Sequence, residues 1–129
     1  MRRAAIVTPL RTPVGTFGGS LRPVSVEELA ATTVRAVVEK SGIDPARIDD
    51  VVFAQSYASS ETPCVGRWAA LQAGLPVTVP GMQLDRRCGG GLQAVATVLK
   101  ISAGRAGDSV ARYGGEEFAV IVPGSPLSG

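Results

Sequence analysis

The sequence predicts an α/β fold in which helices pack on a mostly parallel sheet. Strand-like apolar runs alternate with amphipathic helix patterns along most of the chain, and cap or stop residues bound the helix patterns. Near the C-terminal end, a pair of glycines separates two strand-like runs. The 129 residues are 45% hydrophobic and 19% charged, which is typical of a globular domain with one core at most.

The first strand and the first helix have clear boundaries in the sequence. Residues 3–8 form a short apolar run closed by Pro9, which predicts a buried strand. A loop rich in glycine and proline follows through residue 23. Ser25 then predicts a helix N-cap, because Glu28 three residues later completes a capping box, and Gly42 predicts the end of this helix.

The strand and helix patterns continue to alternate as far as residue 104. Strands are predicted at residues 50–55 and 81–85, and helices at residues 63–73 and 91–103. Residues 111–113 and 118–122 are strand-like and flank Gly114 and Gly115, which predicts a hairpin instead of another helix. The predicted fold is therefore a layered α/β unit followed by a β-hairpin tail.

Charge and hydropathy exclude several classes of partner. The net charge is only +2, and the 13 basic residues are spread along the sequence, so nucleic acid is not an expected partner. The apolar runs are too short to span a bilayer, so we expect no membrane partner and a cytoplasmic location. The sequence holds no histidine, which removes the commonest general base and metal ligand.

Cys88 is the candidate nucleophile. It lies in DRRCGGGLQAV, where a short strand turns through glycines into an apolar helix. The positive end of the helix and the charges of Arg86 and Arg87 would stabilise a thiolate there. Gly89 and the two glycines after it would leave the approach to sulfur open and allow an amide to face an oxyanion. The alternative is a buried structural cysteine in a glycine-rich turn, and the pattern alone does not decide between the two.

The second cysteine, Cys64, has no such surroundings. We expect it to be a structural residue and both cysteines to remain thiols, with a disulfide as the open alternative.

The segment CGGGLQAV resembles the nucleophile motif of the thiolases, and further segments agree in order and spacing. These are RTPVGTFGGSL, EELAATTVRAVVEKSGIDPARIDDVVF and GRWAALQAGLPVTVPG, so that the resemblance covers about residues 3–104. It implies a partial thiolase-like layered fold and an acyl-CoA as substrate, with Cys88 acylated and its own amide in the oxyanion hole. It also implies a homo-oligomer in the intact family and no bound cofactor, since the coenzyme A thioester is the substrate.

The sequence departs from the thiolase pattern in two respects. It holds no counterpart of the family's later asparagine, histidine and second cysteine, so we expect the chain to be inactive by itself. It also carries Gly90 where many thiolases have serine, and Ala54 and Gln55 where a glycine is common.

The end of the sequence resembles a different family. RAGDSVARYGGEEFAVIVPG is similar to the signature hairpin of the GGDEF diguanylate cyclases, with an RxxD pair at Arg105 and Asp108. In that family the pair belongs to an inhibitory product site, and the carboxylates of Glu116 and Glu117 could hold a divalent cation. The alternative is a glycine hairpin with solvated acids.

Three hypotheses of function follow from these observations. The first is a thiolase-type acyltransferase fragment, the second a remnant of a cyclase signalling domain, and the third a non-catalytic binding module. The predicted domains are a thiolase N-terminal domain over residues 1–104, a GGDEF-like hairpin over residues 105–124 and a flexible tail over residues 125–129. No metal is expected in the thiolase reading. Acyl chain length and reaction direction are left open.

Overall fold

The computed structural model describes residues 5–104, 108–112 and 118–123. Its helices are α1 (Val26–Ser41), α2 (Val65–Gln72) and α3 (Gly90–Gly104), with short 3₁₀ turns at Pro45–Arg47 and Arg87–Gly89. Its strands are β1 (Ile6–Val7), β2 (Asp50–Ala54), β3 (Gly81–Leu84), β4 (Asp108–Arg112) and β5 (Phe118–Pro123). The predicted α/β class is confirmed.

The five strands form one sheet in the order β1-β4-β5-β2-β3. β2 pairs with β3, and β1 with β4, in the parallel direction. β5 is antiparallel to both of its neighbours, β2 and β4. The predicted hairpin therefore lies inside the sheet instead of following it as a tail, and the sheet has as many antiparallel pairings as parallel ones.

Two apolar clusters cover opposite faces of the sheet. Side chains alternate along β2, so that Val51 and Phe53 pack with α1 and α2 while Val52 and Ala54 pack with α3. The result is a three-layer arrangement of α1 and α2, the sheet, and α3. β2 is thus covered on both faces, and its residues 51–54 are all buried.

The caps of α1 are those that the sequence predicts. The hydroxyl of Ser25 accepts a hydrogen bond from the Glu28 amide at 3.2 Å. Gly42 takes the left-handed conformation, at a φ of 66°, and its amide donates to the carbonyls of Val38 and Glu39. A residue without Cβ adopts this conformation at little cost, which explains why the helix ends there.

The predicted buried first strand is wrong in two respects. β1 has only two residues, and both are exposed, Ile6 by 50% and Val7 by 39%. Among the strands that the structure describes, β1 lies at the edge of the sheet and pairs with β4. Thr8 follows it at a φ of 51°, which is incompatible with extending the strand.

The second helix begins two residues later than predicted, at Val65. The amide of Val65, the first residue of the helix, donates a hydrogen bond to the Gln83 side chain in β3 at 2.7 Å. Gly66 allows the helix to approach very closely, since a Cβ at this position would lie 2.9 Å from the Val51 carbonyl oxygen and closer still to that of Met82. α2 is therefore fixed on β2 and β3 by backbone contact.

Candidate active site

Cys88 lies in a turn between β3 and α3. β3 ends at Leu84, a 3₁₀ turn spans Arg87–Gly89, and α3 begins at Gly90. The Cys88 side chain is exposed, so the thiol is open to solvent and is not the buried cysteine of the alternative reading. The turn lies at the carboxyl ends of the parallel strands β2 and β3, the edge of an α/β sheet where ligand sites usually lie.

The amides of this turn are not equivalent. The Gly89 amide donates to the Arg86 carbonyl at 3.0 Å, and the Gly90 amide donates to the Arg87 carbonyl. Within the described part of the chain, no such bond is found for the amide of Cys88 itself. This N–H group therefore has no acceptor within its own turn.

Asp85 connects the turn to the loop after β2. Its Oδ1 atom accepts a hydrogen bond from the Arg87 amide at 2.8 Å, and its Oδ2 atom accepts one from the Tyr57 amide at 3.4 Å. Oδ2 also forms an ion pair with the Arg87 guanidinium. The pKa of the Asp85 carboxyl is lowered from 3.8, mainly because the Arg87 amide donates to it, and further by the Tyr57 amide and the charge of Arg87, while desolvation acts in the opposite direction.

Arg87 and Tyr57 share an unusual backbone conformation. Their φ angles are 48° and 56°, in the left-handed region that residues with a Cβ rarely adopt. The Arg87 guanidinium lies 4.3 Å from the centre of the Tyr57 ring, which is a cation–π contact. Strained residues of this kind gather at functional sites, where surrounding contacts hold them in place.

Both arginines before Cys88 have defined partners. Arg87 is bound to Asp85, and the guanidinium of Arg86 donates a hydrogen bond to Oε1 of Gln93 in α3. Because the Asp85 carboxylate offsets the charge of Arg87, the turn carries less net positive charge than the two arginines alone suggest. That both of them stabilise a Cys88 thiolate stays a prediction.

Two glycines near Cys88 differ in what surrounds them. Beyond its chain neighbours, the nearest described atom to a Cβ at Gly89 is in the Arg86 side chain, at an ordinary 3.8 Å, so a small side chain would fit at this position. A Cβ at Gly90 would lie 3.0 Å from the Cβ of Ala54 in β2. Gly90 therefore allows α3 to begin close against the sheet.

Cys64 is placed differently from Cys88. It lies immediately before α2, is partly buried, and its thiol approaches the Gly81 carbonyl oxygen at 3.5 Å. Both cysteines are free thiols, as predicted.

A cleft of about 390 Å³ lies between α1 and the end of β2. Most of its lining is apolar, and Cys88 is not among the residues that line it. Gln55 lies at this cleft with 8% of its surface exposed, and its Oε1 atom has no hydrogen-bond partner among the described residues. Tyr57, which contacts Arg87 in the turn of Cys88, also lines this cleft, so the cleft borders the loop that contacts that turn.

The residues of the predicted cyclase hairpin are mostly outside the described residues. Arg105, Gly114, Gly115, Glu116 and Glu117 fall there, and of Asp108 the backbone is described, as the first residue of β4. In the ranges that the structure describes, no three His, Cys, Asp or Glu residues gather closely enough to hold a metal ion. The metal and inhibitory sites of the cyclase reading stay predictions.

Comparison with known proteins identifies the family. The model of the thiolase N-terminal domain matches residues 4–121, which is most of the chain. The chain belongs to the thiolase family. This match passes residue 104 and includes β4 and most of β5. A domain boundary at residue 104 stays a prediction.

Individual thiolases show the same similarity. The chain is 38% identical over 124 residues to an acetyl-CoA acetyltransferase of Cupriavidus necator, and 39% identical over 124 residues to one of Pseudomonas aeruginosa. Each match covers 95% of this chain and 31% of the relative. The crystal structure of the Bacillus anthracis acetyl-CoA acetyltransferase superposes with a TM-score of 0.74 at 32% identity, over 84% of this chain and 29% of that one. The chain thus spans about a third of the length of these thiolases.

No helix in the described part of this thiolase-family chain is both long enough and apolar enough to cross a membrane.

The sequence did not single out Asp85 or Tyr57, although each contacts the turn of Cys88. An aspartate between a strand and a glycine-rich turn is a frequent acceptor for amides two residues ahead, and this was the available signal.

Proposed function

We propose that the chain supplies the nucleophile of a thiolase-type acyltransferase and that Cys88 accepts the acyl group from a coenzyme A thioester. One observation carries the proposal: within a thiolase N-terminal domain, Cys88 is an exposed thiol in a glycine turn directly before α3. Thiolate, and not thiol, is the reacting form of cysteine, and a helix N-terminus favours it.

The proposed step is a thioester exchange. The Cys88 thiolate attacks the carbonyl carbon of the acyl-CoA, and the carbonyl oxygen becomes an oxyanion facing the Cys88 amide. The bond between the carbonyl carbon and the coenzyme A sulfur then breaks. Coenzyme A leaves as a thiolate and takes up a proton from solvent, which balances the proton that Cys88 lost.

Thiolysis or Claisen condensation of a 3-ketoacyl-CoA requires a general base and a second proton carrier in addition to this step. The sequence has no histidine, and its other cysteine, Cys64, is partly buried before α2. We therefore infer that this chain by itself undergoes single acylation without turnover. The intact enzyme would work as a homo-oligomer in the cytoplasm, where cysteines remain thiols.

Acylation is tested by incubating the purified chain with acetyl-CoA and measuring the adduct by intact mass and peptide mapping. We expect acetylation on Cys88 in the parent chain and in the control Cys64→Ser, and none in Cys88→Ser. Acetoacetyl-CoA thiolysis, followed by absorbance, should remain at background. Equal labelling of the two cysteines, or no adduct at all, would overturn the assignment of Cys88.

A further inference from the structure

We propose that Asp85 is the positioning residue of Cys88 and that it holds the nucleophile turn by joining it to the loop after β2. The inference rests on the proposed role of Cys88 as the nucleophile. The geometry comes from three contacts of one carboxylate, two to backbone amides and one to a guanidinium.

The first contact fixes the residue that directly precedes Cys88. Asp85 accepts from the Arg87 amide at 2.8 Å, and Arg87 has a φ of 48°. This conformation is unfavourable for a residue with a Cβ, so an external contact has to hold it. Because Cys88 is the next residue, the backbone angles of Arg87 set the position of its Cα–Cβ bond relative to β3.

The second contact fixes the opposite loop. The amide of Tyr57 donates to the same carboxylate at 3.4 Å, and Tyr57 has a φ of 56°. The Arg87 guanidinium pairs with Asp85 and stacks 4.3 Å from the centre of the Tyr57 ring. One side chain thereby joins two strained residues that follow different strands.

Asp85 has no proton to exchange in this arrangement. Both of its carboxylate oxygens accept hydrogen bonds, and these bonds favour the ionised form. Its role is therefore to place Cys88 rather than to act on the substrate.

Two variants of equal charge separate placement from electrostatics. Asp85→Asn keeps an oxygen acceptor for the Arg87 amide, whereas Asp85→Ala removes it, and both are neutral. In a Cys64→Ser background, we expect iodoacetamide to alkylate Cys88 about three- to tenfold more slowly in Asp85→Ala than in Asp85→Asn, since one hydrogen bond is lost. The pH profile of the rate should differ between the two, and amide exchange at Arg87 should be faster in Asp85→Ala.

Asp44→Ala is the matched control. Asp44 also accepts from an amide two residues ahead, that of Ala46, at 3.0 Å. Asp44 lies before the amino end of β2, whereas Cys88 lies after the carboxyl end of β3. Because β2 and β3 are parallel, the two residues lie at opposite ends of these strands. We expect the alkylation rate of Cys88 in this variant to stay within about twofold of the parent, because the two sites share no partners.

Equal alkylation rates in folded Asp85→Asn and Asp85→Ala overturn the proposal. If Asp85→Ala does not fold, Asp85→Gln replaces it. Glutamine has the same amide group as the asparagine variant but places its oxygen one methylene further out, so the alkylation rates of Cys88 in Asp85→Gln and Asp85→Asn are then compared. Acetylation by acetyl-CoA is measured on the same samples. A parent chain that is not acetylated, with the alkylation difference intact, refutes the proposed function and leaves the positioning role standing.

Discussion

Substituting Gly66 by alanine tests how closely α2 lies on the sheet. Gly66 is the second residue of α2, and alanine there should by intrinsic propensity favour a helix by about 0.5–1 kcal/mol. The structure predicts the opposite sign. A Cβ at this position would lie 2.9 Å from the Val51 carbonyl oxygen, 3.1 Å from the Met82 carbonyl carbon and closer still to its oxygen.

These neighbours are backbone atoms of paired strands, so they cannot rotate away as a side chain could. Accommodating the methyl group requires α2 to move away from β2 and β3 and loosens the contacts of Val65 and Ala69 in the core. Overpacking of this kind costs about 1–3 kcal/mol. After the gain in propensity, we expect a net loss of about 0.5–2 kcal/mol. Each kcal/mol lowers the melting temperature by about 4 °C in a domain of this size.

Urea unfolding followed by circular dichroism measures the difference. Thr32→Ala is the control, because it introduces the same side chain at an exposed position of α1. Its propensity gain has no steric opposition, so the control should be unchanged or slightly more stable. A Gly66→Ala chain as stable as the parent would refute the close packing of α2.

Further predictions concern the site and the hairpin. Iodoacetamide should label exposed Cys88 faster than partly buried Cys64 at pH 7, and equal labelling in mass-mapped peptides would contradict this. Asp85→Asn should lower stability at neutral pH. In thermal melts the loss should shrink as the pH falls below 3.8 and disappear below the lowered pKa of the folded carboxyl, because such a carboxylate stabilises only while ionised. Calorimetry with GTP and Mg²⁺ should show no tight binding, and micromolar affinity would contradict this. Gly90→Ala should cost less stability together with Ala54→Gly than alone, by about 1 kcal/mol in a double-mutant cycle.

Local signals in the sequence predict the helices well because their causes are local. A capping serine and a left-handed glycine act within a few residues, so the limits of α1 follow from residues 25 and 42. The same holds for the turn of Cys88, where a glycine run joins a strand to a helix. These elements required no knowledge of the rest of the chain.

The order in which the strands pair could not be predicted from the sequence, because it depends on contacts between residues that are distant in sequence. The hairpin was predicted from the glycine pair, but nothing in its residues indicates that β5 inserts between β4 and β2. Its insertion leaves β1 at the edge, which explains why two apolar residues there are exposed. The later start of α2 likewise depends on Gln83, a partner 18 positions away.

The two departures from the thiolase pattern that lie nearest Cys88 gain a physical explanation only from the structure. Considered one at a time in the sequence, Ala54 and Gly90 are minor departures from the thiolase pattern at positions 36 residues apart. In the fold they face each other, since a Cβ at Gly90 would lie 3.0 Å from that of Ala54. A methyl group on β2 therefore occupies the space that a side chain at the start of α3 would need, and a glycine there restores the fit. The distance between α3 and the sheet, and with it the placement of Cys88, depends on the pair and not on either residue alone.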